Sequence, residues 1–140
     1  MRYCLGFPRA CKEQHNTPAF YLVLKTGSWN GIGGKIEGNE TPLEAMARET
    51  KEDCPHIVVD EWVYFAKVIG DNFSIYCFVG QTEHEVSYEQ TENDVGEVMQ
   101  WWYMGEPEIA YNLHWLLPAA CYPGIKMTID ERFILARTEQ

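Results

Sequence analysis

Apolar and polar positions divide the chain into short apolar runs separated by polar, glycine-bearing stretches. Aromatic and β-branched residues dominate "AFYLVLK" (19–25), which predicts a strand. "RYCLGF" (2–7) reads as another, joined to it by the polar "KEQHNTP". Residues 26–40 carry five glycines and predict a structured loop. "EWVYFAKVIG" (61–70) and "NFSIYCFVGQ" (72–81) predict a hairpin turning at 70–72. A polar, acidic loop over 82–97 precedes a strand at "VMQWWYM" (98–104). "IAYNLHWLLPAACY" (109–122) predicts a helix broken near Pro118, and "KMTIDERFIL" (126–135) a last strand.

Between these runs the period changes. Thr41 can cap a helix, Pro42 suits its first turn and Glu44 completes a capping box. Leu43, Met46, Ala47, Thr50 and Cys54 then recur at helical spacing as the expected buried stripe, and Pro55 ends the helix. Strands mixed with two helices point to an α+β or α/β sandwich. With 140 residues and no repeat or linker, the chain is expected to form one domain over 1–140.

Composition narrows the chemistry. A net charge of −10 argues against a nucleic-acid polymer as partner, because such a face needs clustered Lys and Arg. No apolar run is long enough to cross a bilayer and the first 15 residues lack a signal-like segment, so a soluble, cytoplasmic protein is expected. Cysteines at 4, 11, 54, 77 and 121 show no CxxC or zinc spacing and read as reduced thiols.

The helix ends against expectation. Glu49, Glu52 and Asp53 are related by i, i+3 and i+4, and are expected on one face opposite the apolar stripe. Like charges so spaced cost about 0.2–0.5 kcal/mol per pair, and the negative end of the helix dipole disfavours acids again. The segment is either a solvated acidic face or a site for hard divalent cations, which carboxylate oxygens suit. The preceding "GIGGK" favours the second, because its backbone can approach a ligand closely.

These residues resemble the Nudix box: Gly, five residues, Glu, seven residues, then Arg-Glu-apolar-any-Glu-Glu-any-Gly-apolar. Gly34, Glu40, Arg48, Glu49 and Glu52 are in register. Thr50, Asp53, Pro55 and His56 depart from the pattern. Asp53 keeps the charge with a shorter reach. "WNGIGGKIEGNETP" resembles the loop of MutT-type nucleoside triphosphate pyrophosphohydrolases, closest to those acting on oxidised purine nucleotides. "GEVMQWWYM" resembles the family's late strand, and "NLHWLLPAA" the helix that closes its nucleotide pocket.

The resemblance implies an α/β/α sandwich with a mixed sheet and the box helix packed on it. It implies Mg²⁺ (or Mn²⁺) held by Glu49, Glu52 and Asp53 with the Gly33 carbonyl, and by Glu97 as a further ligand or base. The general base lies between Glu49 and Glu97. Arg48 is expected to orient a carboxylate through a bidentate ion pair. Glu40 is expected to hold the loop. Gly34 and Lys35 are expected at the phosphates. Asn30, with Tyr111 or Asn112, is expected to read the base; a turn-forming Asn30 before Gly31 is the plainer alternative. The oxidised-purine subgroup carries an acidic pair and a stacking Trp at places that roughly correspond to Ile109, Tyr111 and Asn112 of this chain. The implied activity is Mg²⁺-dependent hydrolysis of a nucleoside triphosphate to monophosphate and pyrophosphate. The alternatives are hydrolysis of ADP-ribose, a nucleotide sugar or another nucleoside diphosphate-X, and a non-catalytic nucleotide-binding module. The partner expected is a small-molecule nucleotide, with no membrane and with a homodimer allowed.

Overall fold

A computed structural model describes residues 1–10 and 17–131. Its strands are β1 (Arg2–Ala10), β2 (Ala19–Lys25), β3 (Ser28–Asn30), β4 (Ile32–Lys35), β5 (Trp62–Ile69), β6 (Ser74–Thr82), β7 (Thr91–Glu92), β8 (Val98–Tyr103) and β9 (Met127–Asp130). Helix α1 spans Pro42–Asp53 and α2 spans Leu113–Ala120. The strands form one sheet in the order β7-β8-β2-β1-β6-β5-β9, with β3 added to β2 and β4 to β1. The β1–β6 and β5–β9 pairs are parallel and the others antiparallel. This mixed sheet with two helices is the expected α+β sandwich.

Alternation along the strands builds a core on each face. Phe7, Phe20, Leu22, Trp29, Phe65 and Val68 pack with Leu113, Leu116 and Leu117 of α2. Tyr21, Val23, Ile32, Phe78 and Met99 pack on the other face with Ala45 and Met46 of α1. The burial of these large side chains is the main stabilising term, at about 25 cal/mol per Å² of apolar surface.

Three expectations need correction. The glycine-bearing stretch 26–40 is not all loop: β3 and β4 lie in it, paired Leu24↔Trp29 and Leu5↔Gly33. Helix α2 starts at Leu113 rather than 109, because the preceding residues are drawn into a bridge with β3. The Trp29 amide donates to the Glu108 carbonyl at 2.9 Å and the Ala110 amide to the Trp29 carbonyl at 2.9 Å. The stripe of α1 is rotated from its predicted place. Leu43 is 49% exposed and Ala47 exposed, while Ala45, Met46, Thr50 and Cys54 are buried. Thr50 is tolerated there because its hydroxyl donates to the Met46 carbonyl at 2.7 Å.

The last predicted strand survives as β9, and its residues 132–135 lie outside the described residues, as does Cys11. Cys4, Cys54 and Cys77 are free and buried, and burial raises their thiols to about 11, 12 and 12, well away from thiolate reactivity.

Candidate functional site

The capping box of α1 forms as predicted. The Thr41 hydroxyl accepts from the Glu44 amide at 3.1 Å, and the Glu44 carboxylate accepts from the Thr41 amide at 3.0 Å. This fixes where the helix begins and therefore where its acids stand.

They do not share a solvated face. The rotation that exposes Leu43 turns Glu49 and Asp53 toward the sheet and leaves Glu52 outside. The Glu49 side chain is 12% exposed and that of Glu52 57%. Glu49 lies directly over Gly34, where any Cβ would collide with the carboxylate. A Cβ at Gly33 would strike the Cys4 carbonyl of β1. Glycine is needed at Gly33 for the close approach of β4 to β1, and at Gly34 it leaves room for the Glu49 carboxylate where it now sits.

Arg48 ties the loop to the helix. Its Nε and Nη2 donate to the two Glu40 oxygens at 2.7 and 3.0 Å, the bidentate pair expected of it. Its Nη1 donates to Glu49 at 3.1 Å and to Glu52 at 3.2 Å, and its Nη2 to the Lys35 carbonyl at 3.0 Å. Glu40 also accepts from the Glu37 amide at 2.9 Å, so it holds the loop as expected. The Arg48 guanidinium keeps the Glu40 carboxyl below the usual range.

Glu97 joins the acids through Asn93, a residue that sequence reasoning passed over. The Asn93 side-chain amide donates to Glu97 at 3.0 Å, and its carbonyl oxygen accepts from the Glu97 amide at 2.9 Å. The same amide reaches the Asp53 carbonyl at 3.5 Å. Burial first, and then the Asp53 charge, push the Glu49 carboxyl up despite its bond to Arg48. Burial and then Glu97 push Asp53 up, with Lys25 at the end of β2 opposing. Lys25 was likewise missed, since nothing in its strand marks it as facing the helix end.

The donor set suits a hard cation: carboxylates whose mutual repulsion Arg48 and Lys25 only partly relieve, beside a backbone that glycine brings close. Among the described residues no three Asp, Glu, His or Cys side chains converge tightly enough to hold one ion between them.

The expected base-reading residues lie on β3 and in the segment that leads into α2. The Asn30 side-chain oxygen accepts from the Gly31 amide at 2.8 Å, at the end of β3. Tyr111 is 57% exposed, with its ring edge-on to Trp115 at 5.3 Å. Asn112 precedes α2 without a side-chain capping bond. Lys35 is exposed. The Trp29–Ile109 bridge brings the strand of Asn30 beside the segment of Tyr111. Trp102, whose ring lies 5.3 Å from that of Trp29, has a buried indole N–H without an acceptor.

The raised carboxyls predict a pH dependence. A carboxyl raised on folding makes the native state bind more protons than the unfolded one, so stability falls as pH rises. The fall is expected to begin near the ordinary values, 4.5 for Glu and 3.8 for Asp, and to be complete above the raised values of Glu49 and Asp53. Glu40 and Glu44, both lowered, act oppositely, and their stabilisation is lost as pH falls. In EDTA, denaturant midpoints should therefore decline on the alkaline side of an optimum, and the pair Glu49→Gln/Asp53→Asn should remove that decline. Saturating Mg²⁺ should flatten it too, by binding the folded state. An alkaline decline unchanged in the double variant would place its origin elsewhere.

The Nudix domain family matches residues 13–120. A search of curated protein sequences finds no match. Among solved structures, the chain is similar to the Nudix domain of Shewanella oneidensis NrtR complexed with ADP ribose, with 14% identity, TM-score 0.68 and 86% of each chain covered. It is similar to the MutT protein of Bacillus halodurans, with 19% identity, TM-score 0.63, and 92% of this chain and 88% of that one covered. It is also similar to an ADP-ribose pyrophosphatase from Streptococcus suis, with 12% identity, TM-score 0.60, and 92% and 98% covered. At these identities the likeness is one of fold. With glycine-backed carboxylates on the helix that follows Gly34, and with a family match over most of its length, the chain belongs to the Nudix family.

Proposed function

We propose that the protein hydrolyses a nucleoside diphosphate-X with Mg²⁺, and that its substrate is a nucleoside triphosphate cleaved to monophosphate and pyrophosphate. The observation that carries this reading is the Arg48 cross-link. It spans loop and helix and leaves Glu49, Glu52, Asp53 and Glu97 crowded at one end of α1. A non-catalytic module would not need four carboxylates kept together against their mutual repulsion.

Glu49, Glu52, Asp53 and the Gly33 carbonyl are the groups we assign to the ion. When bound, Mg²⁺ would neutralise charge on the diphosphate, which a chain of net charge −10 cannot do with its own cations. Arg48 orients Glu49 and Glu52. Glu97, fixed by Asn93, is our choice for the base that takes a proton from the attacking water, because Arg48 already occupies Glu49. Lys35 and Gly34, at the end of β4, are the groups we assign to the phosphates.

Hydrolysis of ADP-ribose or a nucleotide sugar is the second reading. The exposed Tyr111 ring and Asn112, standing where the oxidised-purine enzymes carry acids, favour it. A screen of nucleoside triphosphates, ADP-ribose and nucleotide sugars with Mg²⁺, resolving products by chromatography, decides between them. Release of pyrophosphate from a triphosphate supports the first reading; turnover of the diphosphates alone replaces it with the second.

Asn30→Ala tests the base contact separately. If Asn30 exchanges its Gly31 bond for a purine edge, the variant should lose about tenfold in kcat/KM for a purine triphosphate, the cost of about 1–3 kcal/mol of unpaired amide. It should barely change a pyrimidine triphosphate. An equal fall for both leaves Asn30 as a turn former only.

A further inference from the structure

A second concave surface lies at the opposite end of α1. Trp62 and Tyr64 of β5, Tyr76 and Phe78 of β6, and Leu43 in the first turn of α1 line a groove of about 470 Å³. Its volume lies in the range of small-molecule sites. Helix α1 has 12 residues, so its two ends are about 18 Å apart. The groove therefore does not share a ligand's reacting group with the carboxylates.

Its lining is unusual for this protein. The aromatic rings are tilted rather than stacked: Tyr64 lies 6.2 Å from Tyr76 at 40° and 5.8 Å from Phe78 at 59°. Trp62, Tyr64 and Tyr76 are only half-buried. In a chain of net charge −10, two lysines stand over these rings. Lys67 Nζ lies 5.2 Å from the Tyr76 centroid, and Lys126 Nζ lies 6.0 Å from that of Tyr64. Half-exposed ring faces take a planar ring by stacking once the ammonium groups over them swing aside to an anion. A cationic ligand would be repelled, and a neutral apolar one would leave the lysines unused.

We propose that this groove binds a mononucleotide, its base stacked among Tyr64, Tyr76 and Trp62 and its phosphate on Lys67 and Lys126. The site would be separate from the carboxylate centre and needs no metal. Because it uses none of the carboxylates, it stands whether or not the chain is a hydrolase.

The test is calorimetric titration in EDTA with adenosine 5′-monophosphate, adenosine and inorganic phosphate. The monophosphate should bind one per chain and more tightly than either fragment. Lys67→Gln and Tyr76→Leu should each weaken it by about tenfold or more, a loss typical of one stacked base or one desolvated charge. Glu52→Gln should leave it unchanged. Lys67→Gln changes a half-buried surface residue and keeps the test valid if Tyr76→Leu folds poorly. Adenosine binding as tightly as the monophosphate would overturn the proposal, as would binding that survives both substitutions. So would binding that Glu52→Gln abolishes, which would assign the ligand to the carboxylate end. Sedimentation of the wild type supplies the remaining arm: a dimer that Tyr76→Leu dissociates, with no nucleotide bound, would show that a second copy covers the groove.

Discussion

Glu52→Gln is expected to fold as the wild type does and to turn over at least about a hundredfold more slowly with Mg²⁺. Even partners that only support metal ligands cost 10–100-fold when lost, so a lost ligand should reach the top of that range. Stability should hold because the change is cheap where it occurs. Glu52 is 57% exposed and makes one bond to Arg48, at 3.2 Å. Losing that i, i+4 pair costs a few tenths of a kcal/mol, and losing a negative charge at the helix C-terminus returns a similar amount. The net change should stay within about 0.5 kcal/mol. Urea midpoints and initial rates measured on the same preparation separate the two effects. Wild-type turnover in saturating Mg²⁺ would remove Glu52 from the metal site.

Arg48→Lys is expected to damage both fold and activity, although it preserves charge. The guanidinium has five N–H donors, and five bonds are made: two to Glu40, one each to Glu49, Glu52 and the Lys35 carbonyl. An ammonium has three donors on one atom and cannot span a loop and a helix at once. The loop over residues 35–40 should then detach from α1, and the carboxylates should lose the cation that holds them apart from solvent. We expect a lower thermal midpoint, weaker Mg²⁺ stabilisation and a fall in kcat of about tenfold or more, with KM much less affected, because Arg48 orients groups rather than binding substrate. A fall confined to KM would instead put Arg48 at the phosphates. Unchanged stability would mean that the cross-link contributes little beyond geometry, as many exposed ion pairs do.

Local rules were enough for much of this. The start of α1 was legible to the residue, because a capping box and a proline at the first helical position depend only on neighbours in sequence. The spacing of Gly34, Glu40, Arg48, Glu49 and Glu52 carried the resemblance to the family, which implied a bidentate pair for Arg48 without naming Glu40 as its partner. The strands at β2, β5, β6 and β8 were visible as apolar, β-branched and aromatic runs.

What failed depended on partners distant in the chain. β3 and β4 are three and four residues long, too short for a periodic signal, and exist because β2 and β1 offer them edges. The early start predicted for α2 was lost to a bridge between Trp29 and Ile109, eighty residues apart in sequence. The stripe of α1 was misplaced because helical periodicity gives the angles between residues and not the angle at which the helix meets the sheet. That angle was decided by Gly34, Gly6 and the strands beneath, and it turned Glu49 and Asp53 inward. Asn93 and Lys25 entered the site for the same reason. A capped helix with closely spaced acids was legible because caps and charges are matters of spacing along one chain. Which acids lose water, and which residues of β2 and the 82–97 stretch stand against them, came from the packing, because desolvation and through-space charge depend on what packs on what.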